Sequence, residues 1–164
     1  MKNSKGHPFL KSFLYAGRGI ALCIRQRNMR FHISCAVWVT AFSLVYRLTA
    51  TEYGLLFFAI GLVLALEAVN TALEHLTDLV SPGYHPLAGM AKDAAAGAVL
   101  IGALTAVAVG FALFFHLPKL TDVLLLIATS WRLAVFGALT VAGALFTFAY
   151  PQNRRKEPPS KGTS

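Results

Sequence analysis

Apolar residues in this chain come in long runs separated by short polar stretches, and the runs do not alternate residue by residue. Three runs approach the roughly 20 residues that a helix needs to cross the hydrocarbon of a bilayer. The first, Ile33 to Tyr46, is short. The second, Tyr53 to Leu73, is interrupted by Glu67 and Asn70, and the third, Ala94 to Phe115, holds no ionisable residue. A fourth apolar region lies between Val123 and Tyr150 and is broken by Arg132. An arginine at mid-membrane costs at least ~2.5 kcal/mol. The favoured register therefore sets Trp131 and Arg132 at an interface, makes Leu133–Tyr150 the span, and leaves 120–130 as an interfacial segment. The first 30 residues mix basic and apolar positions without the continuous apolar run of a secretory signal. They read as an amphipathic helix lying on the membrane surface.

Composition sharpens this into a class. Hydrophobic residues make up 56% of the 164 and charged residues 13%, with a mean hydropathy of +0.60. Soluble domains carry roughly 25% charged residues, so both a soluble single-core enzyme and a disordered chain are excluded. Cys23 and Cys35 are too few for a disulfide framework and lack metal-ligand spacing; they read as small buried residues. The net charge of +8 is distributed by the positive-inside rule. Lys2, Lys5, Lys11, Arg18, Arg25, Arg27 and Arg30 precede the first span, and Arg154, Arg155, Lys156 and Lys161 follow the last. Four crossings with both termini in the cytoplasm place nearly all of these on one side. That distribution explains the charge without nucleic acid, and leaves the basic N-terminus free to meet anionic lipid head groups. The expected fold is all-α: a surface helix over 1–30, a membrane core over 31–117, an additional membrane segment over 118–150, and a disordered polar tail over 151–164.

The second span carries the chemistry. Ionisable residues inside a membrane segment are expensive and mark function by default. At 100° per residue, Glu67, Asn70, Glu74 and Asp78 fall within about 80° of one another, along about 16 Å of helix axis. Asn alone could glue helices together, but three carboxylates on one face repel unless cations join them. Lys92 and Asp93 stand just before the third span, where a lysine and a helix N-terminus both favour phosphate oxygens. The small residues Ala94 to Ala98 allow close approach of another helix. Carboxylates for Mg²⁺, a base at lipid depth and a cation for phosphate together suggest phosphoryl transfer. The chain has neither a GxxxxGK[ST] loop nor the protein-kinase motifs, which excludes a soluble kinase fold. His32, His75 and His116 read as interfacial or hydrogen-bonded side chains, and Phe57, Phe58, Phe111, Phe114 and Phe115 as lipid-facing bulk.

The string EAVNTALEHLTDLVSPGYHPLAGMAKDAAAGAVLI, with SFLYAGRGI and RNMRFHI upstream, resembles the signature region of the bacterial diacylglycerol kinase and undecaprenol kinase family over residues 9–116. The resemblance implies a homotrimeric helical-bundle enzyme of the bacterial inner membrane, with sites shared between subunits. Such an enzyme moves the γ-phosphate of Mg-ATP to a lipid alcohol. It implies Glu67 as catalytic base, Asn70 and Ala96 beside it in the lipid-substrate site, and Glu74 as the carboxylate that holds the metal on ATP. Tyr15, Asp78, Gly83, Tyr84, His85, Lys92 and Asp93 then belong to the nucleotide edge, with Asp78 in support.

Two positions depart from the family's pattern. Gln26 stands where a second metal-binding glutamate is usual, and one residue is missing between Gly19 and Asn28. An amide oxygen is a weaker ligand for Mg²⁺ than a carboxylate. Gly83 replaces an acidic residue common before the Tyr-His pair. By resemblance the acceptor is undecaprenol, with diacylglycerol as the alternative. A non-catalytic scaffold that kept the fold is a reading from a different class, and Gln26 is its main support.

Overall fold

The computed structural model describes residues 8–149, and side chains from residue 11 onward. The expected polar tail from residue 151 lies outside the described residues. Six helices follow one another: α1 Pro8–Cys23, α2 Arg27–Tyr46, α3 Ala50–Val80, α4 Pro86–Phe114, α5 Leu117–Ala128 and α6 Arg132–Phe148. Three of them are long and apolar enough to cross a membrane, and a fourth crossing is added if the bent pair α5–α6 counts as one span. The chain is a multi-pass membrane protein.

The spans begin earlier than the apolar runs alone indicate. The N-terminal helix stops at Cys23 in a turn, where the Gln26 N–H donates to the Cys23 carbonyl at 2.9 Å. Gln26 is extended and opens α2, so residues 27–30 belong to the first span and not to the surface helix. Helix α4 likewise starts at Pro86, eight positions before the apolar run. Proline suits a first helical turn, and His85 caps it by accepting the Leu87 N–H on Nδ1 at 3.2 Å.

Tight connections make α2, α3 and α4 neighbours. Arg47 closes α2 in the left-handed region, at φ 58. Thr49 and Glu52 then form a reciprocal capping box at the start of α3. With 31 residues, α3 is about 46 Å long, well beyond the ~30 Å of bilayer hydrocarbon. Helices α3 and α4 approach closely at Gly102, where a Cβ would lie 2.5 Å from Leu66 Cδ1.

The apolar core sits at the Thr49 end of the bundle. Phe42, Tyr46, Leu56, Leu113, Val123, Ile127 and Phe136 bring α2, α3, α4, α5 and α6 together there. Phe114 packs edge-on against Phe42 and Tyr46, with ring centroids 5.3 and 5.1 Å away. It is therefore partly buried against the core and not lipid-facing bulk, whereas Phe57, Phe58, Phe111 and Phe115 are exposed as expected. Cys35 is also exposed, against the expectation of a buried residue, while Cys23 is half-buried. Helices α5 and α6 meet at 88°. Helix α6 then runs back along α2, with Phe136 against Trp38 and Thr147 against Arg30.

Candidate functional site

The polar stripe of α3 lies at the end opposite the aromatic core. Glu67 is 2% exposed and Asn70 is 4% exposed, although both carry polar side chains on a membrane helix. Asn70 Nδ2 donates to Glu74 Oε1 at 3.2 Å, which links two members of the stripe. Cys23, the last residue of α1, stands close enough to Glu67 that this carboxylate, after burial itself, pushes the thiol above its ordinary range. Helix α1 therefore ends beside the deepest carboxylate.

Three buried polar atoms on this part of α3 have no partner among the described residues: Asn70 Oδ1, Thr71 Oγ1 and His75 Nε2. Buried polar groups are nearly always satisfied in folded proteins. They lie on the same stretch of α3 as Glu67 and Glu74. Thr71 and His75 were not among the residues that sequence reasoning placed on this face. The available signal was their spacing, since both follow Glu67 at one helical turn or two.

Towards the end of α3, Lys92 Nζ of α4 pairs with Asp78 Oδ1 at 2.5 Å, and both side chains are about two-fifths exposed. An ion pair so open to water contributes only ~0–1 kcal/mol, so a phosphate can compete for the lysine. Beside it an open cleft of about 650 Å³ is lined by Leu22, His75, Asp78, Leu79 and Pro82. It lies between the end of α1 and the end of α3.

The remaining expected residues are spread around this centre. Gln26 is half-buried at the N-cap of α2, and its side chain makes no cap bond. Tyr15 on α1 is 62% exposed, with the Arg18 guanidinium 5.9 Å from its ring centroid. Gly83, Tyr84 and His85 form the exposed link between α3 and α4, and Tyr84 is 96% exposed. Asp93 and Ala96 are exposed on α4. A single chain therefore brings together Glu67, Asn70 and Glu74, and separately Asp78 with Lys92; it leaves Tyr15, Tyr84, Asp93 and Ala96 uncovered.

No three His, Cys, Asp or Glu side chains converge as a metal cage among the described residues. The donors do suit a cation that arrives already bound to phosphates. Glu74 offers one oxygen beyond the Asn70 bond, and the Gln26 side chain makes no cap bond at the start of α2 among the described residues. Magnesium is commonly held in this way, by one or two protein oxygens plus substrate phosphates.

Residues 14–114 match the prokaryotic diacylglycerol kinase family. The chain is 44% identical over 113 residues to a protein of Bacillus subtilis named undecaprenol kinase, covering 68% of this chain and 90% of that one. It is 43% identical over 117 residues to a diacylglycerol kinase of Synechocystis sp., covering 70% of this chain and 66% of that one. A diacylglycerol kinase of Escherichia coli is 42% identical over 53 residues, covering 32% and 43%. No solved structure matches the chain.

Proposed function

Because this chain belongs to the prokaryotic diacylglycerol kinase family and is an ATP-dependent lipid kinase, we propose that its acceptor is undecaprenol and that Glu67 is its catalytic base. The observation that carries the substrate is coverage. The relative named undecaprenol kinase aligns over nine-tenths of its length, and the relative named diacylglycerol kinase over two-thirds, at nearly equal identity. That second relative keeps diacylglycerol as the alternative acceptor.

In the proposed reaction the lipid hydroxyl approaches Glu67, which accepts its proton as the oxygen attacks the γ-phosphorus. A P–O bond to the lipid forms while the bond to the β-phosphate oxygen breaks, and ADP leaves. Burial keeps the Glu67 carboxylate away from competing water, and none of the described hydrogen bonds ends on it, so its lone pairs are open to an alcohol. Asn70 holds Glu74 in place, and Glu74 with Gln26 takes Mg²⁺ as part of Mg-ATP. Lys92, released from Asp78, neutralises phosphate oxygens, and His85, Gly83, Tyr84, Asp93 and Tyr15 border the nucleotide. Charge stabilisation and positioning are the main demands of phosphoryl transfer. The uncovered faces bearing Asp93, Tyr84 and Ala96 are closed in a homotrimer. The enzyme sits in the bacterial inner membrane with both termini cytoplasmic.

The test is transfer from labelled Mg-ATP by the purified full chain, with undecaprenol and diacylglycerol offered in parallel micelles. Faster transfer to undecaprenol is expected. Preference for diacylglycerol would reverse the substrate while keeping the site, and no transfer to either would support the scaffold reading.

A further inference from the structure

The family match ends at Phe114, which is also the last residue of α4. The hairpin α5–α6 is thus an addition to the matched core, and it is bound to that core by a built polar seam. Arg30 of α2 is 2% exposed, and its Nη2 donates to the Thr147 carbonyl at 3.2 Å. Thr147 lies in the last turn of α6, where the final carbonyls lack helical partners and the helix dipole is negative. Helix α6 has no basic residue of its own in that turn, so the cation comes from α2.

The seam continues one turn further along α2. Ser34 Oγ donates to the Arg30 carbonyl at 2.9 Å, with the Gly143 carbonyl a second acceptor at 3.3 Å. It also lies 3.2 Å from Thr147 Oγ1. In that pair either hydroxyl can donate. Gly143 suits this approach, because a Cβ there would stand 3.2 Å from Ser34 Cβ, a tight contact.

The same turn of α2 begins at Gln26. The Arg30 N–H donates to the Gln26 carbonyl at 3.2 Å, so the residue clamped by α6 also closes the turn that starts at Gln26. A neutral amide is a weak metal ligand, and its contribution depends on being held in place. We propose that the α5–α6 hairpin is a positioning element of the nucleotide site, acting through Arg30 on the first turn of α2 and hence on Gln26. This inference rests on the nucleotide role proposed above for Gln26.

A wedge at the seam tests it. In full-length protein, Gly143→Leu forces α6 away from Ser34. The expected result is a KM for Mg-ATP and a calorimetric Kd for Mg-ATP both raised about tenfold, equivalent to ~1.4 kcal/mol, with KM for the lipid alcohol unchanged. Raising the Mg²⁺ concentration should recover part of the loss. An unchanged KM and Kd for Mg-ATP, or an equal rise in KM for both substrates, would overturn the inference. Should Gly143→Leu fail to fold, Ser34→Ala decides, with a smaller rise confined to Mg-ATP expected and no change overturning it. Absence of transfer by the unmodified protein would instead overturn the proposed function, so the two failures are distinguishable.

Discussion

Two regions of this protein handle buried polarity differently. Between α2 and α6, Arg30 and Ser34 are joined to Thr147 and Gly143 by hydrogen bonds at 3.2–3.3 Å. On α3, Asn70 Oδ1, Thr71 Oγ1 and His75 Nε2 are buried without partners among the described residues, beside a carboxylate that is 2% exposed. A connected seam in a membrane bundle holds helices together and contributes about 1 kcal/mol per bond. An under-satisfied face costs stability unless a ligand completes it. The contrast sets side chains that bridge two helices against the α3 side chains on which the proposed chemistry rests.

Substitutions on the two faces should therefore fail differently. Glu67→Gln keeps the shape of the side chain and removes the base, so kcat should fall by roughly 10²–10⁴ while Mg-ATP still binds. Retention of full turnover in a transfer assay would remove Glu67 from the proposed chemistry. Lys92→Met should raise KM for Mg-ATP about tenfold, as expected for one lost charge-assisted contact of ~1.5 kcal/mol. Its thermal stability should change little, because the pair with Asp78 is half-exposed. A stability loss exceeding the kinetic loss would reclassify Lys92 as a structural residue.

On the seam the order reverses. Thr147→Val removes a hydroxyl at nearly constant volume and should lower unfolding free energy by about 0.5–1.5 kcal/mol, measured by denaturation in mixed micelles. An unchanged midpoint would mean that the Ser34–Thr147 contact fastens nothing. The smallest effect tests the geometry between α1 and α3. The thiolate is the reactive form of cysteine, and both burial and the Glu67 charge raise the Cys23 pKa. Glu67→Gln removes one of these causes, lowers the pKa and increases the thiolate fraction. With Cys35 replaced by serine, maleimide labelling of Cys23 at a fixed pH below its pKa should speed up a few-fold. An unaltered rate would place Cys23 beyond the reach of Glu67.

Much of the bundle was legible because its spans are long apolar runs, and the α3 stripe because Glu67, Asn70, Glu74 and Asp78 repeat at helical spacing. What was not legible came from residues far apart in sequence. Arg30 counts equally well as one more cytoplasmic cation, and only its bond to Thr147, 117 positions away, draws it inside. Phe114 looks like its exposed neighbours Phe111 and Phe115 until Phe42 and Tyr46 close over it. The start of α2 was obscured because RNMR is too polar for a hydropathy reading, whereas one face of it is covered by α6. Tyr15, Tyr84, Asp93 and Ala96 stay uncovered in a single chain, so their roles rest on likeness and not on contacts.

The capping box at Thr49 gives α3 a consequence that depends on the surrounding lipid. Glu67 lies 17 residues beyond Ala50, about 26 Å along the axis, so a helix pinned at its capped end carries its base just short of the far edge of a ~30 Å hydrocarbon layer. Activity would then depend on bilayer thickness. In short-chain phosphatidylcholine Glu67 would surface among head groups, and in long-chain lipid it would sink below the level of a substrate hydroxyl. Turnover should pass through a maximum as acyl length is varied, and a flat profile would mean that tilting of α3 absorbs the mismatch.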